Sequence, residues 1–471
     1  MRRTDEPARL TRRFFTLSLA AGFAAPAMAK IANAESSRAQ SLLTDWVDVR
    51  RQCLGASLSV VDEDGLASLA HGVRGLQDPR PVDARTVFGI ASLTKVFTGL
   101  LLADAILRGE LSLDDPVRSH LPPGVSLPAF DGREIAIIDI ATHTSGLPQE
   151  IAHYTDAAAT RSADPMAPLF AFLANYSLTR PIGERWSYSN IGYALLGAAL
   201  EHRTGERFGE LVRRRITVPL GMGSTTVTLA APRNANRASP HVDLASAAPE
   251  WNKPWSLAAG GLQSSAQDLG LFLEAAMGVR RTPLRAAFAA MLMTTRPAPF
   301  LGGDQALGWG IDRSNGDPRV FFGGRAPGFT SAMMFDPRAR RGVAALGNSS
   351  LMIESLAREI LRAGSTQPEP GSAVITPDPA LDRLTGRYSL AEPHRDAHLA
   401  VGEVFEIVRT EAGIAVQMPR YPRVALKAVD ANRFEIEGFP VTYQFDAGSG
   451  PAAGFAVTIN AQAVRAERIT E

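Results

Sequence analysis

The string IASLTK at residues 90–95 places Ser92 three residues before Lys95. A serine hydroxyl is a weak nucleophile and becomes useful only with a base in hydrogen-bond reach. Leu93, Val96, Phe97, Leu100, Leu101 and Ile106 recur at helical spacing from this point, and Gly109 closes the pattern. Positions i and i+3 share one helix face about a turn apart, so Ser92 and Lys95 are expected to point the same way from a helix starting near Ser92. Free N–H groups and the helix dipole in such a first turn favour a developing negative charge. Lysine acts as a base only where burial or a nearby cation lowers its pKa. Its use here is sparing, because the 49 Lys and Arg residues include only Lys30, Lys95, Lys253 and Lys427 as lysines. The spacing is nonetheless short and common, and an ordinary polar pair fits it as well.

Two later stretches bear on that choice. RWSYSNIGY (185–193) puts Tyr188 and Asn190 immediately before a second helical pattern, carried by Ile191, Leu195, Leu196 and Leu200 and closed by Gly205. A phenol there could relay a proton and a carboxamide could hold a substrate amide; a capping Ser189 or Asn190 beside a buried tyrosine is the plainer alternative. FFGGRAPGFTSAMMF (321–335) reads as a strand entering glycines, where another backbone can approach closely, or as a simple hairpin turn.

The surrounding elements decide whether these residues can meet. GASLSVVDEDG (55–65) followed by LASLAHGV (66–73) reads as a hairpin with a charged turn, and strands recur at 319–324, 331–336 and 342–348. A third helix is expected over 264–278, with Ser265 and Asp268 spaced like a capping box. Strand pairs near both ends of this region, with helices between them, predict an α+β fold with one sheet that the two ends close. A proline-rich stretch at 364–380 marks a domain boundary. Beyond it, apolar and polar residues alternate between turns at Gly413, Gly438 and Gly448. Phe434, Ile436, Phe455, Val457 and Ile459 would line one face of a small all-β barrel or sandwich. No internal repeat is visible, and no catalytic pattern stands out in that last segment.

With 471 residues, 45% hydrophobic and 21% charged, the chain is an ordinary globular one with room for two or three domains. The net charge of +1 is uneven, since residues 1–34 hold six cationic against two anionic side chains. The remainder is mildly acidic and lacks a basic run, which argues against nucleic acid as a partner. TRRFFTLSLAAGFAAPAMAK (11–30) reads as an export signal whose apolar core is too short to span a bilayer, with Arg12 and Arg13 fitting the twin-arginine type. No membrane span is expected once it is removed. The lone Cys53 excludes an internal disulfide and a cysteine metal cluster. The expected divisions are a signal at 1–34, a catalytic domain at 35–365, a linker at 366–380 and a β domain at 381–471.

In this order the motifs resemble the penicillin-recognising serine hydrolases: class C β-lactamases, AmpH-type D-alanyl-D-alanine carboxypeptidases and endopeptidases, D-aminopeptidases and family VIII carboxylesterases. The resemblance covers residues 50–350 through IASLTK, LSLDDPV (111–117), IATHTSGLP (140–148), YSN (188–190), VPLGM (218–222), AAGGLQSSAQDL (258–269) and LGWGI (307–311). It implies a β-lactamase-like fold with an all-helical region, and the last segment resembles the lipocalin-like appendage of several relatives. It also implies Ser92 as the acylated nucleophile, Lys95 as its base or the group that keeps the base poised, Tyr188 as a sharer of proton transfer and Asn190 as the group orienting the substrate amide. The N–H groups of Ser92 and Arg325 would form the oxyanion hole, with no metal or organic cofactor. His143 and Ser145 read as structural, since no G-x-S-x-G or HExxH pattern exists here.

One motif departs from the family. Its Lys-Thr-Gly or His-x-Gly triplet falls on Phe322, Gly323 and Gly324, so the cation that helps hold a substrate carboxylate is missing. Arg325 shares a strand face with Gly323 and could bind that carboxylate if that face is the cleft. The expected activity is hydrolysis of peptidoglycan-type D-amino-acid peptides or β-lactams; the alternatives are an esterase of small acyl chains and a penicillin sensor without turnover.

Overall fold

The structure is a computed structural model. It describes residues 35–469 except 152–163, 228–235, 251–252, 299–300, 314–317, 350–352, 364–378, 392–403, 411–412, 418–423, 437–440, 447, 449 and 460–461. The export signal and nearly all of the expected linker lie outside the described residues.

Strands β1 (Gly55–Asp62), β2 (Gly65–Gly75) and β3 (Asp78–Pro81) form the N-terminal part of the main sheet. Three two- or three-residue strands, β4 (Phe88–Gly89), β5 (Thr226–Val227) and β6 (Leu262–Ser264), make a separate small sheet. The main sheet resumes with β7 (Thr295–Ala298), β8 (Gly303–Ala306), β9 (Gly310–Asp312), β10 (Arg319–Ala326), β11 (Phe329–Asp336) and β12 (Arg341–Gly347). Its order is β3-β2-β1-β12-β11-β10-β9-β8-β7, antiparallel throughout. Pairing of β1 with β12, from Ala56 opposite Gly347 to Val61 opposite Gly342, joins the two ends as the sequence led us to expect.

Six helices of nine or more residues are described: α1 (Glu35–Thr44), α2 (Thr94–Leu107), α3 (Asn190–Thr204), α4 (Ala266–Ala276), α5 (Arg285–Met293) and α6 (Glu354–Ala363). α1 and α6 cover one face of the sheet, where Leu58, Ala332, Met334, Val343 and Ala345 point. α4 covers the other, against Val61, Met333, Phe335, Ala344 and Leu346. Burial on both faces explains why SAMMF and GVAALG are continuous apolar runs rather than alternating ones, since each side chain meets a helix whichever way it points. α2 lies among α3, α5 and the short helix Leu257–Gly260, and its residues Thr94 to Ala105 are all buried. Such all-round burial is the environment that depresses a lysine on this helix.

Cap chemistry sets where these helices begin. Ser189 Oγ accepts from Gly192 N at 3.0 Å to open α3, and Gly205 closes it in a left-handed conformation, φ 70°. Ser265 Oγ accepts from Asp268 N at 3.2 Å to open α4. The Asp268 carboxylate accepts instead from Ser224 N and Thr225 Oγ1, pinning the loop before β5 to this helix.

The C-terminal strands β13 (Gly386–Leu390), β14 (Val404–Thr410), β15 (Gly413–Gln417), β16 (Val424–Ala428), β17 (Arg433–Glu435), β18 (Val441–Phe445), β19 (Gly454–Ile459) and β20 (Gln462–Arg468) form a closed barrel. Tyr388, Phe405, Phe434, Tyr443, Phe445 and Phe455 fill its interior with mostly edge-on ring contacts. Closure removes the exposed edges that an open sandwich of this size would carry. Among the described residues, no helix is long and apolar enough to cross a membrane.

Candidate active site

Ser92 stands in a 3₁₀ turn, Ala91–Leu93, that leads directly into α2. It therefore precedes the first α-helical turn that its sequence pattern suggested, by two residues. Ala91 adopts φ 47°, a left-handed conformation costing on the order of 1 kcal/mol in a residue with a Cβ. Neighbours hold that turn in place. Ile90 O accepts from Ser331 Oγ at 2.7 Å and from Leu93 N at 3.1 Å. Ile90 N donates to Leu262 O at 3.0 Å, and Leu262 N donates to Thr94 Oγ1 at 3.1 Å.

Lys95 Nζ lies 3.3 Å from Ser92 Oγ, 2.6 Å from Asn190 Oδ1 and 2.8 Å from Ala259 O. Burial pushes this amine down from 10.5 to about 7, although Glu150 pulls the other way. A neutral amine has two N–H donors and one lone pair. The two carbonyl oxygens take both donors, so the lone pair is left for the hydroxyl proton of Ser92. The two acceptors thus aim that lone pair at Ser92 Oγ.

Tyr188 OH donates to Ser92 Oγ at 2.7 Å. Burial raises this phenol well above its ordinary value, so it holds its proton at neutral pH and serves as a donor. Its ring stacks on His143 at 4.7 Å between centroids, and Lys95 Nζ sits 4.7 Å from its ring centre. His143 Nδ1 accepts from Ser189 N at 3.1 Å, which places the ring proton on Nε2. Burial and the nearby Lys95 keep His143 neutral. His143 therefore buttresses the Tyr188 ring. Asp139, fully buried and paired with Arg133 and Arg296 at 3.1 and 2.8 Å, anchors the loop carrying His143, since Arg296 also donates to Thr144 Oγ1.

Asn190 uses both ends of its amide. Oδ1 faces Lys95, and Nδ2 donates to Glu150 Oε1 at 2.7 Å. Glu150 in turn pairs with Lys253 at 3.2 Å. Neither Glu150 nor Lys253 was singled out as a site residue from the sequence. Lys253 carried the same rarity signal as Lys95, whereas nothing distinguished Glu150 from any loop acid.

The glycine strand meets the Ser92 turn where the sequence suggested a close approach. A Cβ on Gly324 would fall 2.2 Å from Ile90 O and 2.9 Å from Leu93 N, so only glycine lets β10 lie against this turn. Phe322 shares that face and is buried in the main core, where the family's cation would stand. Gly323 faces the opposite way, and a Cβ there would meet Glu354 Oε1 on α6 at 2.3 Å. Arg325 follows Gly323 in alternation and sits opposite Thr330, two residues from the Ala332 that packs on the α6 side. Its side chain is exposed on the face of Glu354, whose carboxyl burial lifts to about 7 while Arg325 and Arg358 oppose the shift. The condition for Arg325 to act as a carboxylate clamp, a face shared with the Ser92 turn, is not met.

Together the sheet-and-helix fold and the Ser–Lys–Tyr cluster define a class of serine acyl hydrolases. A beta-lactamase family profile matches residues 27–366, and the chain belongs to that family of penicillin-recognising serine hydrolases. Among curated relatives, the D-alanyl-D-alanine-carboxypeptidase/endopeptidase AmpH of Escherichia coli is 33% identical over 178 residues, which is 37% of this chain and 45% of AmpH. The chain thus spans about half the length of that relative. Penicillin-binding protein 4 of Amycolatopsis lactamdurans is 28% identical over 363 residues, 71% of this chain and 92% of that protein. The octameric penicillin-binding protein homologue of Pyrococcus abyssi shares the fold at TM-score 0.65 and 22% identity, over 92% of this chain and all of that one.

Proposed function

We propose that this chain is an exported serine hydrolase that forms an acyl-enzyme on Ser92 and acts on D-amino-acid peptides of peptidoglycan type or on β-lactams. The observation that carries the reading is the double engagement of Ser92 Oγ, by Tyr188 OH at 2.7 Å and by a buried lysine amine at 3.3 Å. Lys95 takes the Ser92 proton as Oγ bonds to the substrate carbonyl carbon. The leaving nitrogen departs with the proton of Tyr188, and Tyr188 recovers one from Lys95. The ammonium formed on the way lies near the faces of Tyr188 and Tyr193, at 4.7 and 5.5 Å, which favour a cation. Water then attacks the ester by the reverse path. The N–H groups of Ser92 and Arg325 would hold the oxyanion, a contact typically worth about 10²–10³ in rate. Names of the relatives, a D-Ala-D-Ala peptidase and a penicillin-binding protein, support the substrate class. We further assign export to residues 1–34, catalysis to 35–365, and a separate folding unit to 381–471, joined at 366–380.

One observation favours a second reading, an esterase of small neutral acyl groups. Phe322, not a cation, occupies the third-motif position on the Ser92 face, and nothing else on that strand face offers a charge to a substrate carboxylate. The test combines covalent labelling with kinetics. Ser92→Ala should abolish labelling by a fluorescent penicillin and by a fluorophosphonate, and persistent labelling would mean a different nucleophile. A panel of nitrocefin, a D-Ala-D-Ala peptide, a D-aminoacyl amide and p-nitrophenyl butyrate then separates the substrate classes. Turnover of the ester alone selects the esterase.

A further inference from the structure

The hydrogen bonds around Ser92 do not stop at Lys95. From Lys95 Nζ they run 2.6 Å to Asn190 Oδ1, then from Asn190 Nδ2 2.7 Å to Glu150 Oε1, and Glu150 Oε2 meets Lys253 Nζ at 3.2 Å. A carboxylate can only accept, so Glu150 dictates which way the Asn190 amide points. Were the amide reversed, its N–H₂ would face the N–H groups of Lys95 and Oδ1 would face a carboxylate, two mismatches at once. Glu150 thereby commits Asn190 Oδ1 to a Lys95 donor, and that commitment frees the Lys95 lone pair for Ser92. Charge acts along the same line. When Lys95 takes the serine proton, an ammonium and a carboxylate sit at opposite ends of one oriented amide.

We propose that Glu150 is a positioning residue for the Ser92–Lys95 pair, performing the carboxylate's part of a nucleophile–base–acid triad at one remove, through the carboxamide of Asn190. Lys253 moderates how much of that negative charge reaches the base. The inference rests on the acyl-enzyme reading above and adds the group that orients and charges its base. Other titratable or charged groups facing Lys95, among the described residues, are His143 and the phenols of Tyr188 and Tyr193. His143 is held neutral and both phenols are held protonated by burial, so Glu150 is the anion that Lys95 feels.

The two members of the ion pair should push the base in opposite directions, and this is the test. The readout is kcat/KM for p-nitrophenyl butyrate, and the rate of fluorophosphonate labelling of Ser92, across pH. Its acidic limb follows deprotonation of Lys95. Glu150→Gln keeps an oxygen for Asn190 but removes the charge. A unit charge roughly 7 Å away at an effective dielectric between about 20 and 80 moves a pKa by about 0.4–1.7. The limb should therefore move to lower pH by about that much, with kcat falling on the order of tenfold, as expected for a weaker base, and KM little changed. Glu150→Asp should restore part of both. Lys253→Met removes a cation and should move the limb to higher pH. Its side chain is 34% exposed, so this variant keeps the test alive even if Glu150→Gln fails to fold. A limb that stays in place in the folded variants, or moves the same way in both, overturns the proposal. A wild-type protein that is never labelled on Ser92 overturns the acyl-enzyme reading instead.

Discussion

Replacing Lys95 by methionine isolates what a buried base costs the fold. The ammonium has an ordinary value of 10.5 and is pushed to about 7 in the folded chain. Between those values the unfolded chain binds a proton that the folded chain has released, so folding becomes more favourable as pH rises through this window. Applied between about pH 6.5 and about pH 9, the shift makes the wild type gain about 2–3 kcal/mol of stability from this group alone. Methionine fills similar space without titrating, so the variant lacks the gain. Losing the Lys95 N–H donors leaves Ala259 O and Asn190 Oδ1 unpaired at about 1–3 kcal/mol each, but that penalty shifts both pH values alike. Glu354 also has a displaced value, yet it is present in both proteins and cancels in the difference. His143 is partly displaced by Lys95 itself, but burial is the larger cause and keeps it below its ordinary 6.5, beneath this window. The assay is urea unfolding followed by tryptophan fluorescence. All five tryptophans, Trp46, Trp186, Trp251, Trp255 and Trp309, lie ahead of the C-terminal barrel strands, so the signal reports the region that holds Lys95. The stability of the wild type relative to the variant should rise by about 2–3 kcal/mol from the lower to the higher pH. Parallel curves, within about 0.5 kcal/mol, would refute the claim that burial depresses Lys95.

Other substitutions probe the same site from different sides. Tyr188→Phe keeps the ring on His143 but deletes the donor to Ser92 Oγ; kcat should fall by about 10²–10³ with the fold intact, measured by steady-state turnover and circular dichroism. Gly324→Ala puts a Cβ 2.2 Å from Ile90 O and must displace either β10 or the nucleophile turn. Its kcat/KM should drop by about 10² or more, since small misplacements of reacting groups are costly, and a near-wild-type value would show that the turn yields freely.

Much of the site was legible in the chain itself. Helix periodicity put Ser92 and Lys95 on one face, and serine and glycine marked where helices start and stop, but Ser92, Lys95, Tyr188 and Asn190 were singled out as site residues by the ordered motifs that resemble the family. The strands at 331–336 and 342–348 were recognisable from their composition, and so was the β character of the last segment, although alternation alone could not choose between barrel and sandwich. Closure of that segment depends on β13 finding β20 across some eighty residues, a pairing no local pattern encodes. Strand facing was similarly out of reach. Whether Arg325 or Gly324 faces the nucleophile depends on register against β11, and a shift of one residue would exchange them.

The composition and spacing of the chain determined that a serine, a sparingly used lysine and a phenol stand at helix starts, and the order of the motifs around them determined the family resemblance. Only the tertiary structure decided that the lysine is depressed to about 7, because that shift comes from burial among helices α2 and α3 and the segment around Ala259, which are distant in sequence. The same holds for Glu150 and Lys253. A loop acid and a surface lysine have no periodic signature, and they acquire a part in the site only when folding sets them end to end with Asn190.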